Sequence, residues 1–205
     1  MSDRIAPGSR PATTSTVSGE DWYARELRSE SFSAVEFRDV DLTEAVGDGA
    51  VFDECTFRSC RFNVASFTDS AFVNCTFLST SLFQTSFLRC KLVGSVFARC
   101  RFELLRVDGG DWSFVSLAGA DLGGTSITRA RMREADLAGA RCVGAALTDL
   151  DLSGATWTGA DLSGCDLRGT DVTSLDPLTA TVRGAIVSTE QAATLAAALG
   201  VDVRP

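Results

Sequence analysis

Residues 135–167 read "ADLAGARCVGAALTDLDLSGATWTGADLSGCDL" and repeat one five-residue unit without a gap. A large apolar residue stands at every fifth position, and a mostly small residue stands two positions before it. Neither a helix of 3.6 residues per turn nor an alternating strand sustains a period of five, so each unit must end in a turn. The stretch therefore predicts an all-β solenoid in which two residues of every five point inward.

The same period runs through most of the chain. Every fifth residue from Trp22 to Val172 is apolar except Gly47, and the positions from Phe52 to Phe77 are all phenylalanine. We therefore predict repeats over residues 20–175. Residues 1–19 contain two of the four prolines and many small polar residues, which predicts a mobile N-terminal segment, and residues 176–205 are predicted to form a C-terminal cap and helix.

The repeat is broken once, in "TEAVGDGAVF" at residues 43–52. Gly47 replaces the large residue there, and Asp48 and Gly49 follow it. The break predicts a bulge or a short loop. Two roles stay open for it: a tolerated kink, or a loop that contacts a partner.

The seven cysteines follow the repeat as well. Six occupy the small inward column and Cys142 occupies the large one, so all fit as reduced core residues. A zinc site needs four converging ligands, and the chain has no histidine. We expect no metal and no cofactor. Cys55 and Cys75 are predicted to lie stacked if four units make one coil.

Composition limits the function. The absence of histidine removes the commonest general base and argues against an enzyme. With 27 acidic and 19 basic residues, the net charge of −8 argues against direct nucleic-acid binding and favours a partner with a basic groove. The chain contains no run of about 18 apolar residues, which is the length needed to span a bilayer. We therefore expect a soluble cytoplasmic protein without membrane contact.

The columns of small and large residues, clearest in residues 135–167, make the chain resemble the pentapeptide repeat family over roughly residues 20–175. The resemblance implies a right-handed quadrilateral β-helix with four units per coil. Residues 78–102, "LSTSLFQTSFLRCKLVGSVFARCRF", with "DWSFVSLAGADL" after them, are similar to the fluoroquinolone-resistance pentapeptide proteins of mycobacteria. That resemblance implies a DNA mimic that binds DNA gyrase, inhibits it and protects it from quinolones or gyrase-directed toxins.

The C-terminal tail predicts a helix on physical grounds. Ser188 and Gln191 form a capping-box pattern, and Gly200 stands where the helix would stop. The helix would cap the open end of the solenoid. The resemblance also implies a homodimer through this helix, for which the predicted interface is the stripe of Ala192, Leu195, Ala196 and Leu199.

A DNA mimic needs outward carboxylates along its length. The position before the large residue supplies the predicted partner-binding set, which is Asp111, Asp121, Asp136, Asp151, Asp161, Asp166 and Asp171. Aspartate at this position also suits polar corners and keeps a solenoid soluble, so a purely structural role stays open. The alternative function is an interaction scaffold for another cytoplasmic partner.

Two features do not fit a uniformly acidic surface. Arg89, Lys91, Arg99, Arg101 and Arg106 form a basic belt in which Glu103 is the one acid. Phe83 and Phe114 stand outside the large column and are predicted to face outward, where they cover a neighbour or mark a contact patch.

Overall fold

The chain forms a parallel β-solenoid, described here from a computed structural model that covers residues 12–204. Fifteen strands and one helix occur in that range. They are β1 (Ser15–Ser18), β2 (Glu26–Arg28), β3 (Ser31–Ser33), β4 (Val35–Arg38), β5 (Val46–Asp48), β6 (Val51–Asp53), β7 (Thr56–Arg58), β8 (Ser66–Thr68), β9 (Ala71–Val73), β10 (Thr76–Leu78), β11 (Ser86–Leu88), β12 (Val96–Ala98), β13 (Arg106–Asp108), β14 (Ser126–Thr128), β15 (Ala146–Thr148) and α1 (Thr189–Ala198).

Paired residues are separated by 20 positions throughout, so one coil contains four five-residue units and has four faces. Face A carries the large residues 22, 42 and so on to 182, and single bridges such as Asp21 with Asp41 hold it together. Face B, from residue 27, is a sheet of seven strands; face C, from residue 32, has three; and face D, from residue 17, has five. Single bridges continue all three of these ladders toward the C-terminus. The predicted quadrilateral solenoid is confirmed.

Both ends of the ladder extend beyond the predicted limits of 20 and 175. Strand β1 pairs in register with β4, because Val17 takes the large inward position and packs on the core. Residues 1–11 of the predicted N-terminal segment lie outside the described residues. At the other end, bridges join Asp161 to Thr181 and Asp166 to Ile186. The repeat therefore continues through the predicted cap to the start of the helix.

Aromatic side chains fill the axis of the N-terminal half. The rings of Phe37, Phe57, Phe77 and Phe97 stack with centroid separations of 4.9, 4.9 and 4.5 Å. This spacing equals the distance between neighbouring strands of a sheet, about 4.8 Å, because each ring is carried one coil further along. Toward the C-terminus leucine replaces phenylalanine, and the core continues without a break.

The small inward position carries a hydrogen bond as well as saving space. At most of its polar members the hydroxyl or thiol donates to the carbonyl oxygen of the large residue 23 positions earlier, as from Thr85 Oγ1 to Phe62 O at 2.7 Å and from Cys75 Sγ to Phe52 O at 3.3 Å. Ser70 and Thr125 instead donate to the nearer carbonyl groups of Thr68 and Leu122. All seven cysteines are free thiols. Burial raises the pKa of the Cys60 thiol to about 11. Among residues 12–204, no group of three or more potential ligands is placed to hold a metal ion.

The predicted bulge at residues 43–52 is wrong. Gly47 lies inside β5 and pairs in register with Leu27 on one side and Phe67 on the other. The Phe67 ring fills the space that a larger residue would take, since a Cβ atom on Gly47 would lie 2.2 Å from Phe67 Cδ1. The core compensates for the missing side chain without any change of backbone register.

The helix α1 closes the C-terminal end as predicted. Ser188 is its N-cap, and the capping box with Gln191 is complete. The Gln191 side chain is buried, and its Nε2 donates to Leu167 O at 2.6 Å and Thr170 O at 2.7 Å. Gln191 thus pairs the Thr170 carbonyl, which has no backbone donor in the described residues, and adds a second donor to the Leu167 carbonyl, which already accepts from Thr170 N. No helix in residues 12–204 is long and apolar enough to cross a membrane.

Candidate protein-interaction surface

All seven predicted partner-binding aspartates stabilise the turns at the corners of the solenoid. Each accepts a hydrogen bond from the backbone N–H two residues later, as from Ser163 to Asp161 at 3.0 Å and from Thr173 to Asp171 at 2.9 Å. Hydrogen bonds from Ser163 lower the pKa of Asp161. One carboxylate oxygen of every member is thus engaged within the chain, which is the structural role that the sequence left open.

The structure does not bring these seven residues together. The 20-residue register distributes them over all four faces. Face C carries Asp111, Asp151 and Asp171; face A carries Asp121 and Asp161; face D carries Asp136; and face B carries Asp166. The predicted set is therefore not one continuous binding surface.

Arginines neutralise four of the seven. Asp111 pairs with Arg131 at 3.4 Å and Asp121 with Arg141 at 3.8 Å, each one coil away. Arg133 pairs with Asp151, and Arg168 binds Asp166 through two nitrogens. The Arg168 guanidinium lowers the pKa of Asp166. Within the described range, three members have no ion-pair partner: Asp136, Asp161 and Asp171.

Negative charge collects at the C-terminal end instead. Residues 134–190 contain nine acidic and three basic residues. Between α1 and face C lies an open cleft of about 520 Å³, whose lining includes four carboxylates. We call it the terminal acidic cleft, and its acidic residues are Asp149, Asp151, Asp171 and Glu190. Asp151 and Asp171 belong to the predicted partner-binding set, whereas Asp149 and Glu190 do not.

The two additional residues differ in how far the sequence could have identified them. Asp149 lies at the corner before face C, and four units per coil suffice to place it beside Asp151 and Asp171. Glu190 lies in the first turn of α1, and the repeat pattern contains no information on how that helix docks. The side chains of Asp149 and Glu190 have no ion pair in residues 12–204, so they leave their charge available to a partner.

The predicted dimer stripe is divided between two environments. Leu195 is partly buried against the core of the solenoid, and Ala196 is half-buried. Ala192 and Leu199 are exposed. The helix thus uses Leu195 to dock on its own chain. Other apolar side chains are exposed at this end, namely Leu178, Ile186, Val201 and Val203.

The basic belt is only partly neutralised. Arg89 pairs with Asp69, and Arg101 pairs with Glu103. Lys91, Arg99 and Arg106 have no ion pair in the part of the chain that the structure describes. The positive charge of the belt therefore persists at mid-length. It lies between residues 12–77, which contain twelve acidic and five basic residues, and the acidic residues 134–190.

Comparison with known proteins agrees with this architecture. The model of the family described as pentapeptide repeats matches residues 31–69, 116–150 and 147–176, with eight copies. The chain is a pentapeptide repeat protein. A search of curated protein sequences found no match to it.

Two solved structures align with this pentapeptide repeat protein over most of their length. A trypsin-treated form of QnrB1, a plasmid-mediated fluoroquinolone resistance protein, is 18% identical, with 92% of this chain and 97% of that chain covered and a TM-score of 0.44. HetL, a pentapeptide repeat protein involved in heterocyst differentiation regulation in the cyanobacterium Nostoc, is 19% identical, with 87% and 90% covered and a TM-score of 0.38.

Proposed function

We propose that this pentapeptide repeat protein binds DNA gyrase as a mimic of DNA, inhibits the enzyme and protects it from quinolones or gyrase-directed toxins. The proposal starts from the sequence resemblance of residues 78–102 to gyrase-protecting pentapeptide proteins. The excess of carboxylates over residues 134–190 is the structural observation that supports it. A gyrase surface shaped for DNA phosphates is cationic and attracts such a region.

The acids in the proposed contact differ from the predicted seven. An aspartate that bonds a corner N–H and pairs with an arginine has little charge left for a partner. Glu134, Asp149 and Glu190 have no ion pair and no side-chain hydrogen bond as acceptors in residues 12–204, so their carboxylates keep both oxygens free. We place these three at the centre of the proposed gyrase contact, together with Asp171 on face C.

The second part of the proposal is a homodimer through the C-terminal ends. Leu178, Ile186 and Leu199 are 77%, 49% and 51% exposed, an apolar surface that a second copy would cover. Such a dimer would join the two acidic ends into one longer anionic surface. Leu195 packs partly on its own solenoid, so it offers less surface to this interface than the exposed Ala192 and Leu199.

A supercoiling assay with cognate DNA gyrase tests the function. The wild-type protein should inhibit supercoiling at micromolar concentration and reduce quinolone-induced DNA cleavage. The triple variant Glu134→Gln, Asp149→Asn, Glu190→Gln should inhibit about tenfold more weakly, because three free carboxylates near the terminal acidic cleft are lost.

The matched control neutralises three carboxylates in the other half of the solenoid: Asp39→Asn, Asp53→Asn and Glu54→Gln. It changes net charge by the same amount, and the three side chains make no ion pair in the described residues. It should keep inhibition within about threefold of wild type. No inhibition by the wild-type protein would reject gyrase as the partner, and equal loss in both triple variants would reject the C-terminal contact.

A further inference from the structure

Three exposed apolar side chains form a patch at mid-length, on face A and its corner with face B. Phe83 follows the large residue Leu82, and Val64 and Leu104 occupy the corner position on the coils before and after it. Because residues 20 apart stack, Val64 and Leu104 lie on either side of Gln84, the neighbour of Phe83. The backbone N–H of Val64 donates to Phe83 O at 2.8 Å.

The fold does not need these side chains. The inward positions of the same coils are already filled, since Phe62, Leu82 and Phe102 are at most 2% exposed. Val64, Phe83 and Leu104 are 48%, 36% and 48% exposed. Single exposed apolar residues are ordinary, but three adjacent ones that the core does not need indicate a contact site.

Cations without counter-charges flank the patch. Arg99 lies at the corner before face A, and Arg106 lies on face B just after Leu104. Neither has an ion pair in residues 12–204, whereas Arg61 and Arg101 on face A pair with acids. From residue 78 to 107 the one acidic residue is Glu103. Because screening limits charge effects to about 8 Å at physiological salt, this local surface is positive although the whole protein is negative.

We propose that Val64, Phe83, Leu104, Arg99 and Arg106 form a docking surface for an acidic peptide segment of a partner protein, anchored by apolar side chains. The two unpaired arginines favour an acidic segment through charge complementarity, and the three exposed apolar side chains bind apolar residues of that segment. A long nucleic acid is a poorer fit, because its phosphates would meet the acidic regions on both sides of the belt. This site is separate from the terminal acidic cleft and does not depend on gyrase binding.

Binding at this surface uses side chains rather than strand addition. The backbone groups here already pair with the next coil, as from Val64 N to Phe83 O and from Gln84 N to Glu103 O. The partner therefore has no free sheet edge to extend. Specificity must come from Phe83 and the two arginines.

Fluorescence anisotropy with the full-length protein tests the proposal. The probes are labelled peptides of equal length: one of glutamate with leucine and phenylalanine, one of glutamate with serine, and one of lysine with leucine and phenylalanine. A short DNA duplex is the fourth probe. The acidic apolar peptide should bind tightest, and added salt should weaken its binding.

Substitutions locate the binding. Phe83→Ser and Arg106→Glu should each weaken binding of the acidic apolar peptide about tenfold. Val143→Ser is the matched control for Phe83, since it is exposed in the same column of face A, three coils away. Arg183→Glu is the control for Arg106, because it also lacks an ion pair in the described residues. Both controls should bind within about threefold of wild type.

Four results overturn the proposal. They are no binding of the acidic apolar peptide, equal or tighter binding of the lysine peptide, unchanged binding by Phe83→Ser and Arg106→Glu, and preferential binding of the DNA duplex that Arg106→Glu abolishes and Phe83→Ser does not. Circular dichroism of each variant should match wild type, because both side chains lie outside the core.

Discussion

Individual residues in the small inward column stabilise the solenoid by pairing carbonyl groups of the preceding coil. Thr85, Ser95 and Thr170 donate to oxygens 23 residues earlier at 2.7 Å, and cysteines make longer contacts of the same kind. Alanine fills the position in much of the C-terminal half without such a bond. The hydroxyl is therefore an addition to the repeat rather than a requirement of it.

Thr85→Val should destabilise the protein by about 1 kcal/mol, because the buried carbonyl of Phe62 keeps the hydrogen bond from Ala65 N–H but loses the one from the Thr85 hydroxyl, while the volume stays the same. Thr56→Val is the matched control, since Thr56 Oγ1 is buried and has no partner. Chemical denaturation should show no loss of stability for the control. Equal losses in the two variants would mean that side-chain shape, not the hydrogen bond, matters at Thr85.

Gly47 and Phe67 form a second pair that can be tested at the residue scale. Gly47→Ala should destabilise the protein by about 1–3 kcal/mol through overpacking against the Phe67 ring. The backbone of Gly47 is not in the left-handed region, so the cost would be steric. Gly123→Ala serves as control, because its closest contact is the side-chain oxygen of Asp121 at 3.2 Å. A neutral Gly47→Ala in denaturant titrations would show that the ring moves freely.

At the scale of elements, the helix α1 depends on polar contacts more than on an apolar face. Gln191 joins the capping box to two carbonyl groups of the last coil, and Leu195 is the main apolar contact with the core. The remaining alanines on the exposed side add little contact with the chain itself. Docking of the helix therefore rests largely on one glutamine.

Gln191→Glu should release the helix, because it keeps an acceptor for Ser188 N–H but directs a carboxylate at two carbonyl oxygens. The expected cost is about 2 kcal/mol or more in the local opening free energy, measured by hydrogen exchange of amides 192–198. Ser188→Ala removes only the cap and should cost about 1 kcal/mol. A larger effect from Ser188→Ala would show that capping, rather than docking, holds the helix.

At the scale of the whole molecule, charge is separated along the solenoid. The basic belt near Arg99 lies between the acidic N-terminal residues 12–77 and the strongly acidic residues 134–190. The proposed dimer would bring the two acidic ends together and leave the belts apart. A single chain could then present two different partner surfaces.

Light scattering tests the proposed dimer. Wild-type protein should have twice the mass of the 21.7 kDa chain, and Leu199→Glu with Ile186→Glu should reduce it to one chain. Tyr23→Glu, an equally exposed residue at the other end, should leave the dimer intact. A wild-type mass of 21.7 kDa at high concentration would exclude the dimer.

The period of five was sufficient to predict the inward columns and the solenoid, and the capping-box pattern of Ser188 and Gln191 predicted the C-terminal helix. Each of these follows from local geometry, because turn spacing decides which side chains point inward. The limits of the ladder were less accurate. Val17 and Val182 were not recognised as repeat positions, although each has a small residue two positions before it; Pro177 interrupts the large column just before Val182.

Tertiary structure alone decided three other features. The bulge predicted at Gly47 does not form, because a ring one coil away fills the space, and sequence separation hides that contact. The predicted aspartates do not form one surface, because the 20-residue coil distributes them over four faces. Arginines also pair with four of them, three from a neighbouring coil and one, Arg168, from the same coil. The terminal acidic cleft exists only because α1 docks beside face C, a placement set by Gln191 and not by the repeat. Inward positions follow from local chain geometry, whereas surface charge depends on which coils become neighbours.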